Sequence, residues 1–345
     1  MQAGRKLAFV FIALQSVNTL SNLKTSSIFI KIVNNSLNPI NKFNKKVMQT
    51  VTSTQFYLYG RSHSTKTGYE AHKKLYDKDD KVIIEDTSNL TAEDDRENAE
   101  KVFIITGANS GIGYELSSYL ARRNCIVYMV CRSAERGKEA VEKVLGACNN
   151  NGNKKVHLLL CDVGSEADVR KVVVDFENSY KSTYGKGEAR LDALICNAGA
   201  LSNAKTLNAD GMELTFASHL LYGSYLLGKL VMPTLRRNNQ SRLIFVSSGG
   251  MYNHKFPSWE IATHTTDAVK YDGNMAYVYA KRGQVLLAEQ WAKAFPDVKV
   301  VSCHPGWSET PGVDKAYGKD ADYLKPLVSI IPTVVPVFSL SLRRR

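Results

Sequence analysis

Along the middle of the chain the apolar residues fall in short unbroken runs rather than in alternation. The runs are Val102–Thr106, Ile126–Cys131, 156–161, 191–196, 243–247 and 298–303. A strand covered by protein on both faces has to be apolar on both sides, so an unbroken run of five or six such residues predicts it. Between the runs lie amphipathic stretches of helical length, at 114–123, 134–145 and 166–184. Strand and helix in regular alternation predict an α/β fold, a doubly wound and mostly parallel sheet of six strands flanked by helices. Right-handed crossovers then set the connections. A seventh strand is not evident. After Thr310 the chain is polar, then apolar at 327–342 but interrupted by Pro332 and Pro336, which argues against a membrane helix there.

The pattern divides the 345 residues into four parts: an extension at 1–47, a helical lead-in with an acidic linker at 48–100, the strand–helix body at 101–312, and an irregular tail at 313–345. The net charge of +12 is unevenly spread, because residues 1–69 hold nine Lys and Arg and no acid, whereas residues 70–100 hold eleven acids and five bases. No basic stripe is interleaved with aromatic residues, so nucleic-acid binding is not expected. Arg5 and Lys6 precede an apolar run at 7–14, too short to span a bilayer. The extension reads as a signal or transit segment, as a tail with no fold of its own, or as sequence ahead of a natural start at Met48. Six cysteines, at 125, 131, 148, 161, 196 and 303, form no C-x-x-C pair. They suggest neither a disulfide framework nor a zinc site, no metal is expected, and a reducing compartment fits best.

The first run leads directly into Gly107-Ala-Asn-Ser-Gly111-Ile-Gly113, and a helical stretch follows at once. Strand, glycine turn and helix are the context in which a Rossmann-like sheet binds a dinucleotide. The glycines let the pyrophosphate approach the backbone, and the helix start offers free N–H groups. The spacing is G-x-x-x-G-x-G. Further on, Tyr277 and Lys281 stand four apart in a helical stretch and so share one face. An ammonium there favours the tyrosinate and lowers the phenol pKa from its free value of about 10, so that the phenol can exchange a proton near neutral pH.

Thr106 to Gly113, with Asn109, Ser110 and Ile112 inside the turn, together with Tyr277-Val-Tyr-Ala-Lys281, resemble the short-chain dehydrogenase/reductase family and its T-G-x-x-x-G-x-G and Y-x-x-x-K motifs. The resemblance covers residues 101–310. It implies an oxidoreductase that moves a hydride between a nicotinamide cofactor and a small carbonyl or alcohol substrate, lipophilic by analogy with relatives. It implies that Tyr277 is the acid/base, that Lys281 tunes it and contacts the ribose, and that Ser248, rather than Ser247, bonds the substrate carbonyl. Asn197-Ala198-Gly199 matches the family's N-A-G after strand four, Asp162 with Val163 the adenine position, Pro305-Gly306 its P-G, and Thr310 a residue near the carboxamide. No acid follows strand two before Glu135, and Arg132 stands there instead, which favours NADP(H) over NAD(H). His219 occupies the place of the family's relay asparagine. Two readings stay open for it, a substitute relay and a satisfied core histidine. A catalytically impaired NADP-binding protein is the alternative function.

A narrower likeness, to one branch of the family, rests on Ser247-Ser-Gly-Gly-Met251, Asp272-Gly273 and His304-Pro-Gly-Trp-Ser-Glu-Thr-Pro-Gly312. Helical stretches at 213–235 and 275–294 carry enough apolar positions to pair in a homodimer by fold analogy. A cytoplasmic location is expected. A mitochondrial or membrane-associated one, with membrane contact as the weaker alternative, follows if the N-terminal extension is retained.

Overall fold

The computed structural model describes residues 100–148, 155–185, 187–199, 201–265 and 269–305. The parts at 1–47 and 48–100, apart from Glu100, and the tail at 313–345 lie outside the described residues, as do Gly306 and Thr310.

Six strands form one sheet: β1 (Val102–Thr106), β2 (Ile126–Cys131), β3 (Val156–Leu160), β4 (Ala193–Cys196), β5 (Arg242–Val246) and β6 (Lys299–Cys303). Their order is β3-β2-β1-β4-β5-β6, and every pairing is parallel. This is the doubly wound order, whose direction reverses between β1 and β4. That reversal opens a crevice at the carboxyl ends of the strands. Three helices on the N-terminal half match the amphipathic stretches: α1 (Gly111–Arg122), α2 (Ala134–Ala147) and α3 (Glu166–Tyr184). Ser133 and Ser165 accept from the backbone N–H groups of Arg136 and Asp168, which caps α2 and α3 at the first free donors.

Alternate residues of each strand feed two cores. Val102, Ile104, Tyr128, Val130, Leu194 and Phe245 pack toward Phe176, Tyr180, Leu227, Leu235 and Trp291 on one side. Phe103, Ile105, Val127, Met129, Ile195 and Ile244 pack toward Leu116, Leu120, Ala140 and Val144 on the other. Unbroken apolar runs are thus explained for the inner strands. The edge strands are less covered, with Leu160 of β3 exposed and most of β6 half-buried.

Several boundaries differ from the sequence expectation by one to three residues, and in three places the difference has a physical reason. The run at 191–196 becomes a strand only at Ala193, because Asp192 is spent as a polar anchor. Its carboxylate accepts from Val102 N at 2.8 Å, from Arg190 Nε and Nη2 at 2.8 and 2.7 Å, and from Asn238 Nδ2 at 2.7 Å. The run at 243–247 ends at Val246, since Ser247 turns its hydroxyl onto the helix below. The stretch at 213–235 is not one regular helix. This element, α4, has a turn at Leu214–Phe216, a wide π segment at Ala217–Leu226 and a regular end at Leu227–Arg236.

Two further helices follow β5. They are α5 (Trp259–Ala262) and α6 (Gly273–Ala294), and α6 is capped by Asp272, which accepts from Asn274 N and Met275 N. Removing the anchor with Asp192→Ala leaves a buried strand N–H and the Asn238 amide without their acceptor. The expected cost is about 2 kcal/mol of stability, read as a lower urea midpoint at unchanged m-value.

Candidate active site

The glycine turn lies at the C-terminal end of β1, where the sheet reverses. Gly107 and Gly111 both have positive φ, 65° and 54°, the left-handed region that favours glycine. A Cβ on Gly107 would meet Ala198 Cα at 2.8 Å, and one on Gly113 would meet Gly107 O at 2.4 Å. The turn is therefore pressed against the end of β4 with no room for side chains. Thr106 locks the two strand ends together. Its Oγ1 accepts from Asn197 N at 3.0 Å and Ala198 N at 2.9 Å, and Asn197 Nδ2 donates back to Thr106 O at 2.9 Å. Helix α1 starts at Gly111, and Ser110, its exposed N-cap, makes no side-chain cap bond. The N–H groups of Gly111, Ile112 and Gly113 thus open a first turn suited to an anion. Half-buried Asn109 lies in the same turn. This glycine cradle fits a pyrophosphate.

At the end of β2, the Arg132 side chain is 65% exposed and pairs with Asp162 at 3.6 Å. Asp162 itself accepts from Gly164 N at 2.9 Å, and half-buried Val163 packs on the core beneath. The geometry puts a solvent-facing guanidinium and an anchored carboxylate side by side at the crevice rim.

The second half of the crevice is organised by one face of α6. Lys281 is 3% exposed, and its Nζ donates to Val246 O, the last carbonyl of β5, at 2.7 Å. The same Nζ stands 5.5 Å from the centre of the Tyr277 ring. Burial pushes the Lys281 ammonium down to about 8 from its usual 10.5. Its other neighbours are the thiols of Cys196 and Cys303, each raised by burial, Cys303 to about 12, so that both stay protonated and inert. The two serines after β5 divide their tasks. Ser247 is buried and donates to Lys281 O at 2.8 Å, whereas the hydroxyl of half-buried Ser248 accepts from Gly250 N at 3.3 Å.

His219 lies in the π segment of α4, 1% exposed, with its ring edge-on to Tyr277 at 5.4 Å between centroids. A Cβ on Gly199 would sit 2.4 Å from His219 Cε1, so Gly199 is what leaves space for the imidazole. Thr106, the glycine turn, Asn197-Ala198-Gly199, His219, Ser248, Tyr277 and Lys281 thus share one crevice edge. Pro305, just past β6, is half-buried. Two contributors carried no sequence signal, the Val246 carbonyl and the Gln284 amide, which reaches His219 O at 2.9 Å. Neither belongs to a spaced motif.

A glycine cradle at the reversal point, facing a tyrosine over a buried lysine, defines a nicotinamide-dinucleotide oxidoreductase of the Rossmann type. Comparison with known proteins makes this specific. Residues 101–259 match the family model for short chain dehydrogenases. The chain is 33% identical over 270 residues to human "Dehydrogenase/reductase SDR family member 12", covering 78% of this chain and 76% of that protein. It is 31% identical over 209 residues to mouse "Retinol dehydrogenase 11", covering 60% of this chain and 61% of that protein. Among solved structures, a short-chain dehydrogenase from Sphingobium yanoikuyae in complex with NADPH superposes with a TM-score of 0.53 at 21% identity, over 68% of this chain and 81% of that one. Levodione reductase superposes with a TM-score of 0.55 at 20% identity, over 70% and 90% of the two chains. The chain belongs to the short-chain dehydrogenase/reductase family, and the branch that its narrower motifs resemble is that of member 12. Among the described residues no helix is long and apolar enough to cross a membrane.

The buried lysine makes a pH prediction. A folded-state value near 8, below the unfolded 10.5, means that burying the charge weakens the fold below pH 8, and that this cost fades as pH rises toward 10.5. Denaturant titrations of the cofactor-free protein should therefore show wild type gaining stability relative to Lys281→Met between pH 8 and 10.

Proposed function

We propose that this chain transfers a hydride between NADP(H) and a lipophilic carbonyl or alcohol, with Tyr277 as the acid/base. The observation that carries this reading is the buried Lys281 ammonium, 5.5 Å from the Tyr277 ring at the crevice that also holds the glycine cradle. The cofactor, when bound, supplies or accepts the hydride. In the direction of reduction Ser248 donates to the substrate oxygen and polarises it, and Tyr277 gives the phenolic proton to that oxygen. Lys281 stabilises the tyrosinate left behind by charge, because a buried ammonium is poorly screened. His219, edge-on to Tyr277, is the relay through which the phenol recovers its proton.

Arg132 supports a preference for NADP(H) over NAD(H). It is exposed at the rim and offers a planar cation to a 2′-phosphate, while Asp162 keeps it oriented. A lipophilic substrate is supported by the mouse relative's name, a retinol dehydrogenase, and by Tyr252, 57% exposed in the turn that follows Ser248. Homodimerisation through α4 and α6 agrees with half-exposed Tyr225, whose ring lies 5.7 Å from Trp291. The six cysteines are all free, in keeping with a cytoplasmic location.

The second reading is an NADP-binding protein without turnover. It is favoured by one feature, the histidine that stands where the family commonly has an asparagine. Purified protein assayed with NADPH and a panel of retinoid, steroid and fatty aldehydes or ketones separates the two. Turnover is expected, and Tyr277→Phe should reduce it by at least about a hundredfold while NADPH affinity by fluorescence stays within about twofold. NADPH binding with no turnover on any substrate selects the second reading, and an active Tyr277→Phe enzyme overturns the role of Tyr277. Arg132→Ala should raise the KM for NADPH about tenfold or more and leave that for NADH unchanged.

A further inference from the structure

The π segment of α4 raises a question that the catalytic groups themselves do not answer. Wide i→i+5 turns are rare and recur at functional sites. Here the wide turn encloses His219, and its backbone carbonyl is bound by side chains rather than left to the helix alone. Ser224 Oγ, five residues on, donates to His219 O at 2.5 Å. Gln284 Nε2, from α6, donates to the same oxygen at 2.9 Å and to Ser224 Oγ at 2.9 Å. The three groups close a triangle. The two amide hydrogens of Gln284 serve one acceptor each, and the Ser224 hydroxyl donates to one partner while accepting from the other. All three residues are at most 1% exposed, so these bonds are shielded from bulk solvent.

Two consequences follow. The His219 carbonyl oxygen takes two side-chain donors besides its place in the wide turn, and the imidazole is the polar group with which this residue addresses Tyr277, 5.4 Å away between ring centres. The ring's place is set on three sides: by Gly199 beneath it, by Tyr277 at its edge, and by the clamped carbonyl of its own backbone. The wide turn also demands Gly223, since a Cβ there would lie 1.9 Å from Ser218 O. Gln284 springs from the helix face that carries Tyr277 and Lys281, seven and three residues before it, so the clamp references the relay group to the acid/base and the lysine through one rigid element.

We propose that Gln284, acting with Ser224, is a positioning residue for proton transfer: it ties off the His219 carbonyl in the π turn and so fixes the His219 imidazole as the group that exchanges protons with Tyr277. This rests on the acid/base reading of Tyr277. The step itself is a plain proton exchange, in which the imidazolium returns one proton to the tyrosinate and is reprotonated from solvent.

The test compares wild type with Gln284→Leu, which keeps the bulk and removes both donors. It also compares Ser224→Ala with Ser224→Thr, which keeps the hydroxyl. In steady-state kinetics Gln284→Leu should lower kcat about tenfold with the KM for NADPH unchanged, and should move the pH dependence of kcat. Ser224→Ala should fall in the same sense, and Ser224→Thr should restore activity to within about twofold of wild type. Independently of turnover, histidine-labelled protein contains seven histidines, and the His219 ring resonance can be assigned by its loss in His219→Asn. In Gln284→Leu that resonance should shift its titration midpoint while the other ring resonances hold theirs.

An unmoved His219 resonance overturns the proposal, as does a kcat and pH profile equal to wild type in Gln284→Leu. If Gln284→Leu does not fold, the serine pair decides, and equal kcat in wild type, Ser224→Ala and Ser224→Thr is then the overturning result. If wild type shows no turnover, the acid/base reading fails with the kinetic arm, and the resonance arm still tests whether the clamp fixes the ring.

Discussion

The crevice depends on one charge that has been taken out of water. Lys281 sits almost fully buried at the carboxyl end of β5, with its ammonium on the Val246 carbonyl and close to the Tyr277 ring. A cation in such a place costs free energy unless hydrogen bonds and neighbouring dipoles compensate it. Here compensation comes from the strand carbonyl, and the lowered pKa records what remains uncompensated. Such a charge is held only by a rigid surround. Ser247 supplies part of it by bonding the Lys281 carbonyl, which pins α6 to the end of β5. The two protonated thiols that flank the ammonium add bulk without adding an opposing charge.

The other half of the crevice is rigid for a different reason. The glycine turn holds its shape because Thr106 and Asn197 bond across from β1 to β4 and because Gly107 and Gly113 leave no space between backbones. Ser110 makes no side-chain cap bond, which leaves the first N–H groups of α1 to the pyrophosphate proposed for this turn. One sheet therefore carries both halves of the chemistry. The reversal between β1 and β4 opens the crevice beside the glycine turn, and β5 with α6 sets Tyr277 and Lys281 on the same edge, where the proposed chemistry needs them.

Much of this was legible in the residues because it follows from short-range rules. Buried inner strands have to be apolar throughout, so β1, β2 and β4 stand out as runs, and a turn that presses on its neighbours has to be glycine. Boundaries were harder wherever a polar residue had a tertiary task. Asp192 falls inside the expected run at 191–196 and is an anchor, and Ser247 closes the expected run at 243–247 and is a brace. The π segment was not legible at all. Its ten residues, Ala217–Leu226, are almost uniformly apolar or small, so no period distinguishes wide turns from ordinary ones. The part played by Gln284 was invisible for a related reason. A neutral amide at an internal helix position matches no motif, and only the structure brings it to His219 and Ser224.

The central claim is that the Lys281 ammonium keeps the Tyr277 phenol acidic. The most direct measurement is a spectrophotometric titration of tyrosinate, taken as the difference between wild type and Tyr277→Phe and repeated in the Lys281→Met background. The account predicts an ionisation in the wild-type difference that begins below the ordinary phenol value of about 10 and moves up by at least about one unit when the lysine is removed. The same midpoint with and without Lys281 would contradict it.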